Sequence, residues 1–263
     1  MTNEVKCKLV ESVRHANCET KLAYILIAVL FVSNIFILTK LCSKDKSKSI
    51  DKVITEWVDS NPKIILDSVQ RYAEKEQSES QRKQQEQAAV NVKSNLSALR
   101  DEKNTGVANP KGSKVVIEFF DYNCGYCKMA AKSVGDIIGT DKDVKVIFRD
   151  LPILGEASTV AARYSVAVAI VEPNKYLRFY EALMAGDAKT TSGVIQALKA
   201  ANIQVEKIER ALKTKSAEIE KRLEENRSLA GLVGIQGTPA FIIGEELVPG
   251  YIDTEAMKSI LNR

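Results

Sequence analysis

Two cysteines, Cys124 and Cys127, stand three apart with Gly125 and Tyr126 between them. Thiols at that spacing can form and break a disulfide, supply half of a zinc site, or pack as small apolar groups. Their setting favours the redox use. Val115 to Phe120 is short, apolar and β-branched or aromatic, which predicts a strand covered on both faces. From Lys128 the spacing turns helical, with Met129, Ala130, Val134, Ile137 and Ile138 on one side. The cysteines therefore open a helix, on one face of its first turn and close enough to join without strain. A helix N-terminus presents unpaired N–H groups and the positive end of the macrodipole, which stabilise a thiolate at Cys124. Cys124 is expected to be the attacking sulfur and Cys127 the shielded, resolving one.

Ligand count argues against zinc, which needs four donors. Beyond residue 43 the sequence holds no other cysteine and no histidine, and the sole histidine, His15, lies across an apolar segment from the motif. The same fact removes a Cys–His hydrolase, which needs an imidazole base beside its thiol. Exchange between thiols and disulfides requires neither metal nor organic cofactor. Five cysteines is an odd number, so at least one is unpaired or bonded between subunits. Cys7, His15 and Cys18 are too irregularly spaced for a metal motif, and Cys42, at the edge of the apolar segment, can bridge subunits. Glu118 interrupts the apolar strand. A carboxylate there costs free energy unless partnered, so it is either functional or a solvated or salt-bridged residue at a strand edge.

The elements that must position these residues occupy the second half of the chain. Its 263 residues suffice for one sizeable domain with accessory segments, and its composition is ordinary for a globular protein. The net charge of +4 is spread along the chain, without a basic stripe interleaved with aromatics, which argues against nucleic-acid binding.

Four regions follow in order. Residues 1–21 form a polar tail. Residues 22–39 are apolar apart from Ser33 and Asn34, long for the core of a signal peptide and at the lower end for a membrane span. No Ala-x-Ala follows, and an uncleaved signal anchor is expected. Basic residues on the two sides of the segment do not by themselves favour a cytoplasmic N-terminus. Residues 40–108 read as a helical stalk. Ile50, Val53, Ile54, Trp57 and Val58 make one apolar stripe, then Asn61-Pro62 starts a second helix carrying Ile64, Ile65, Leu66, Val69 and Tyr72. Val90, Val92, Leu96 and Leu99 lead to a linker at 106–112. A stripe of this kind must be buried, either against the catalytic domain or by self-association of residues 50–100 into a dimer or trimer.

Residues 109–263 form the catalytic domain. Val144, Val146 and Phe148 alternate as a strand, and residues 156–231 are helical throughout. Phe241–Ile243 and 246–248 read as a hairpin across Gly244-Glu245, and Asp253 caps the final helix.

The stretch from Val115 to Lys128, the run Arg149-Asp150-Leu151-Pro152-Ile153-Leu154-Gly155, and Gly237-Thr238-Pro239-Ala240-Phe241 resemble three motifs of DsbA-like thioredoxin-fold oxidoreductases, in the expected order. The likeness covers roughly residues 60–263. It implies an α/β thioredoxin-like domain with an inserted helical subdomain, preceded here by the transmembrane helix and the stalk. It also implies site roles: Glu118, six before the first cysteine, assists proton transfer from beneath the site. Thr238 and Pro239 form a Thr–cis-Pro loop that faces the cysteines and holds the substrate strand. Gly125 and Tyr126 tune the redox pair; strongly oxidising members carry a histidine there, so a less oxidising pair is expected.

The resemblance further implies an oxidising, exported compartment, placing the protein at a bacterial inner membrane with its catalytic domain in the periplasm. Its partners would be exported cysteine-containing proteins and a membrane redox protein. ScsC-type relatives associate through an N-terminal helical extension, which favours a homo-oligomeric disulfide isomerase. The alternatives are a monomeric dithiol oxidase and a membrane-tethered holdase or assembly protein with a structural cysteine pair.

Overall fold

A computed structural model of the protein describes residues 21–40 and 46–263. Cys7, His15, Cys18 and Cys42 lie outside the described residues, as does most of the polar tail. The chain divides into two units, residues 1–77 and 78–263.

In the first unit, α1 (Lys21–Lys40) is long and apolar enough to cross a membrane, with a mean hydropathy of 2.5 and no buried side chain. Helix α2 (Lys46–Ser60) ends where Pro62 begins α3 (Pro62–Ser94). The break has a local cause: a proline fits the first helical turn but cannot donate within an ongoing one. Asn61 closes α2 by donating from its side-chain amide to the Trp57 carbonyl at 2.8 Å. The stripe formed by Ile50, Val53, Ile54, Trp57 and Val58 is exposed along its whole length, as are Ile64, Ile65, Leu66, Val69 and Tyr72.

The second unit is built on a five-stranded sheet of order β1-β3-β2-β4-β5. Its strands are β1 (Gly106–Ala108), β2 (Lys114–Phe120), β3 (Val144–Asp150), β4 (Ala240–Ile243) and β5 (Glu246–Pro249). Only β2 and β3 pair in parallel, with Val116 opposite Val146 and Phe120 opposite Asp150. Because side chains alternate along a strand, each central strand serves two cores. Val116, Phe120, Val146, Phe148, Phe241 and Ile243 face the larger one, which contains α5 (Gly125–Thr140) and most of the inserted helices. Ile117, Phe119, Ile147, Ala240 and Ile242 face the other.

The insertion comprises α6 (Glu156–Val171), a 3₁₀ turn at Pro173–Lys175, α7 (Tyr176–Ala185), α8 (Thr191–Ala200), α9 (Val205–Thr214) and α10 (Ser216–Val233). Its boundaries follow from local chemistry. The Thr190 hydroxyl caps α8 by accepting from the Gly193 N–H at 3.1 Å, and Gly234, at φ 83°, ends α10 in the left-handed conformation. Asp253 caps α11 (Thr254–Leu261) by accepting from the Ala256 N–H at 2.8 Å.

The sequence predicts a stalk running to residue 108 and a linker at 106–112, whereas Gly106–Ala108 is the edge strand β1, antiparallel to β3. Three residues are too few to show a period of two. Gly106 is required there by close approach, since a Cβ would stand 1.9 Å from the Tyr176 ring. Upstream, Val92 and Leu99 are fully buried in the second core beside Leu229, Ala230 and Val233. Helix α4 (Leu96–Leu99) is held by Arg149, whose guanidinium donates to the carbonyls of Ala98, Leu99 and Asp101 at 3.0, 2.8 and 2.7 Å. Arg222 closes the same corner on Asp101 at 2.6 Å. Residues 92–108 therefore belong to the catalytic unit, and the apolar stripe left uncovered is that of residues 50–72.

Candidate active site

Strand β2 delivers the chain to the site at Asp121, and the turn to α5 is built around that side chain. Its Oδ1 accepts from the Asn123 N–H at 2.8 Å, while Oδ2 accepts from Ile153 and Leu154 N–H at 2.9 and 3.1 Å. One buried carboxylate thus joins the loop before α5 to the loop after β3. Asn123 adds a bond from its amide to the Ser158 hydroxyl at 3.1 Å.

Cys124 occupies the N-cap position of α5 with extended backbone angles, and its side chain does not cap the helix. Its sulfur instead approaches the Thr238 carbonyl oxygen at 3.2 Å, across to the loop before β4. The sulfur is half-buried, Gly125 is exposed, and Tyr126 stands 65% exposed beside it. Cys127, one turn on, is fully buried, with its Sγ 3.5 Å from the Asp121 backbone N–H, which donates to it. Burial pushes the Cys127 thiol well up, against the smaller lowering effect of that N–H. The two thiols are unjoined in this structure. The Thr238–Pro239 peptide bond is cis, and the Pro239 carbonyl accepts from the Gly250 N–H at 2.9 Å.

Glu118 is completely buried, so the solvated or salt-bridged strand-edge alternative does not hold. Tyr180 donates from its hydroxyl to Oε2 at 2.9 Å, and Oε1 has no hydrogen-bond partner among the described residues. Desolvation raises its carboxyl to about 8, the Tyr180 bond opposes this, and the neighbouring Asp150 adds to it. Asp150, also buried, is raised to about 8 by desolvation. Phe120, Tyr122, Phe148, Tyr176 and Tyr180 pack edge-on or tilted against one another, and Tyr180 joins this cluster to Glu118. Burial likewise pushes the phenols of Tyr122, Tyr176 and Tyr180 well above their ordinary range.

The fold therefore brings Cys124, Cys127, Thr238 and Pro239 to one end of the sheet, with Glu118 on the strand behind them and Gly125 and Tyr126 at the rim. Sequence reasoning missed Asp121, Tyr180, Ser165 and a distinct place for Asp150. Asp121 carried a usable signal, since an Asp two residues before a polar N–H reads as an Asx turn. The other three depend on contacts between distant elements.

These features define a thioredoxin-like site on a mixed sheet with a helical insertion. The chain belongs to the family of the DSBA-like thioredoxin domain, whose model matches residues 115–262. It is accordingly an enzyme of the thiol–disulfide oxidoreductase class. Among solved structures it is similar to the thiol-disulfide exchange protein alpha-DsbA2 from Wolbachia pipientis (27% identity, TM-score 0.63), over 66% of this chain and 94% of that one. It is also similar to a periplasmic thioredoxin-like protein from Salmonella enterica serovar Typhimurium (29%, TM-score 0.56; 64% and 93% covered). The third is Proteus mirabilis ScsC in a compact conformation (26%, TM-score 0.58), over 82% of this chain and 96% of that one. No curated protein matches the chain.

Proposed function

We propose that the protein exchanges disulfides in exported proteins as a homo-oligomeric isomerase, tethered by α1 to a bacterial inner membrane with its catalytic unit in the periplasm. The observation that carries the chemistry is the unequal placement of the two sulfurs: Cys124 reaches the surface beside Thr238, whereas Cys127 is sealed beneath it. Cys124 attacks a substrate disulfide, its sulfur bonds to one substrate sulfur, and the other leaves as a thiolate. Cys127, or the substrate's own thiol, then displaces the captured sulfur. Glu118 exchanges the proton of Cys127 during this step. The backbone of Thr238 and Pro239 receives the extended substrate segment.

The preference for isomerase rests on the first unit. An isomerase must hold a misfolded substrate and stay reduced, and several catalytic units on a shared helical stalk serve both needs. The uncovered stripe of residues 50–72 supplies an apolar surface that a second copy would bury. The similarity to ScsC spans more of this chain than its catalytic unit alone, and the Salmonella relative is a periplasmic protein. Tyr126, which supplies no cation, fits a less oxidising pair.

Two measurements test the reading. Full-length protein should refold scrambled ribonuclease, and Cys124→Ala should abolish this; undiminished activity would show the pair to be structural. By sedimentation, the protein in detergent should be oligomeric, and Ile54→Glu with Trp57→Glu should make it monomeric. A monomeric wild type would turn the reading towards a dithiol oxidase.

A further inference from the structure

Glu118 and Asp150 sit on the two central strands of the sheet, in parallel register, with Glu118 opposite Phe148 and Asp150 opposite Phe120. Alternation places both on the face shared by Val116, Phe120, Val146 and Phe148. Both are buried to within 2% of full burial. Each retains one oxygen, Glu118 Oε1 and Asp150 Oδ1, without a hydrogen-bond partner among the described residues. Tyr180 serves Glu118, while the Ser165 hydroxyl, bonded at 3.0 Å to both Tyr122 and Tyr176, lies by Asp150.

Among the described residues no cation balances them. Arg149, next to Asp150 in sequence, points through the sheet to the α4 carbonyls and to Asn226 Oδ1 at 3.2 Å. The other titratable groups around the pair are Tyr122, Tyr176 and Tyr180, Cys127 on α5, and Asp121 in the loop, and none of them is basic. Two carboxyls in one apolar pocket without a counter-charge cannot both ionise near neutral pH.

We propose that Asp150 is a positioning residue for the exchange reaction: with Glu118 it forms one buried acid pair that holds at most one negative charge, which keeps the proton of Glu118 available to Cys127. The proposal rests on the reading of Glu118 given above. When a substrate thiolate attacks Cys124 in the oxidised pair, the Cys124–Cys127 bond breaks and its electron pair leaves on Cys127. Cys127 takes the proton of Glu118, which becomes a carboxylate. In the opposite direction the Cys127 thiol returns that proton as its sulfur bonds to Cys124, and the substrate sulfur departs as a thiolate. A charge on Asp150 favours the protonated form of Glu118 and so sets the pH at which the donor is exhausted.

The test is the pH profile of single-turnover reduction of the oxidised full-length protein by a dithiol peptide. Wild type should show an inflection near the Glu118 value of about 8. Asp150→Asn should move it down by about one pH unit or more, the usual scale for coupled acids, and Asp150→Glu should restore it. Glu118→Gln should remove it whichever residue stands at 150. An inflection absent in Glu118→Gln but unmoved in Asp150→Asn overturns the role of Asp150 and leaves that of Glu118 standing. An inflection indifferent to both variants overturns both. Should Asp150→Asn fail to fold, carboxyl ¹³C NMR of the wild type decides: two mutually shifted titrations support the pair, and two independent ones refute it.

Discussion

The sulfur of Cys124 lies 3.2 Å from the carbonyl oxygen of Thr238, a residue 114 positions away. That approach joins the first turn of α5 to the loop before β4. A strand bound along the Thr238 backbone would be carried directly past the attacking sulfur. Cys127 is buried beneath this surface, because α5 turns it inward onto the Asp121 N–H, with the Thr238 side chain also beside its sulfur.

Replacing Cys127 with Ser should therefore leave capture intact and stop internal resolution. Mixed disulfides between Cys124 and substrate should accumulate and appear as higher-mass species on non-reducing gels. Cys124→Ser should form none. Equal trapping by both variants would contradict the division of roles.

Stability should fall as the pH rises from about 4.5 to about 8. The sign follows from Glu118, whose carboxyl is raised from 4.5 to about 8 by folding. Between those values the native state holds a proton that the unfolded chain has released. Unfolding then releases protons and is favoured by rising pH, by up to about 1.4 kcal/mol per pH unit for each proton held. Urea melts at pH 5 and pH 8 should show the loss in wild type and a flatter response in Glu118→Gln.

The assignment of residues 92–108 to the catalytic unit has its own consequence. Leu99→Ala removes a fully buried side chain and should lower unfolding stability by about 2–5 kcal/mol, with loss of exchange activity at the melting point. Ile54→Ala, on the exposed stripe, should leave the catalytic unit's melting transition where it is and weaken self-association. Calorimetry with sedimentation separates the two effects.

Gly106→Ala should destabilise by about 1–3 kcal/mol or more, the usual cost of overfilling a packed site. The added methyl would fall inside the ring of Tyr176, whose hydroxyl bonds the Ser165 group beside Asp150. A thermal melt checks this, and an unchanged transition would mean that β1 is free to shift.

Much of this molecule is written in interactions that span four residues or fewer. The Cys124–Cys127 pair at a helix start, the break at Asn61-Pro62, the caps at Thr190 and Asp253, the turn at Gly244 and the apolar run of β2 are all of this kind. Periodicity and capping chemistry are local, so the sequence displays them directly and settles the helical insertion, the strand–turn–helix around the cysteines and the apolar helix α1. The three-residue strand β1, the reach of Arg149 back to Leu99 over 50 residues and the meeting of Glu118 with Asp150 obey no period. They exist because two parallel strands in register turn the same face to one pocket, and because a sheet buried on both sides recruits α4 and the end of α3 to cover the second. Tertiary structure alone decided where the catalytic unit begins, and that two carboxyls would lie buried with no cation among the described residues to balance them.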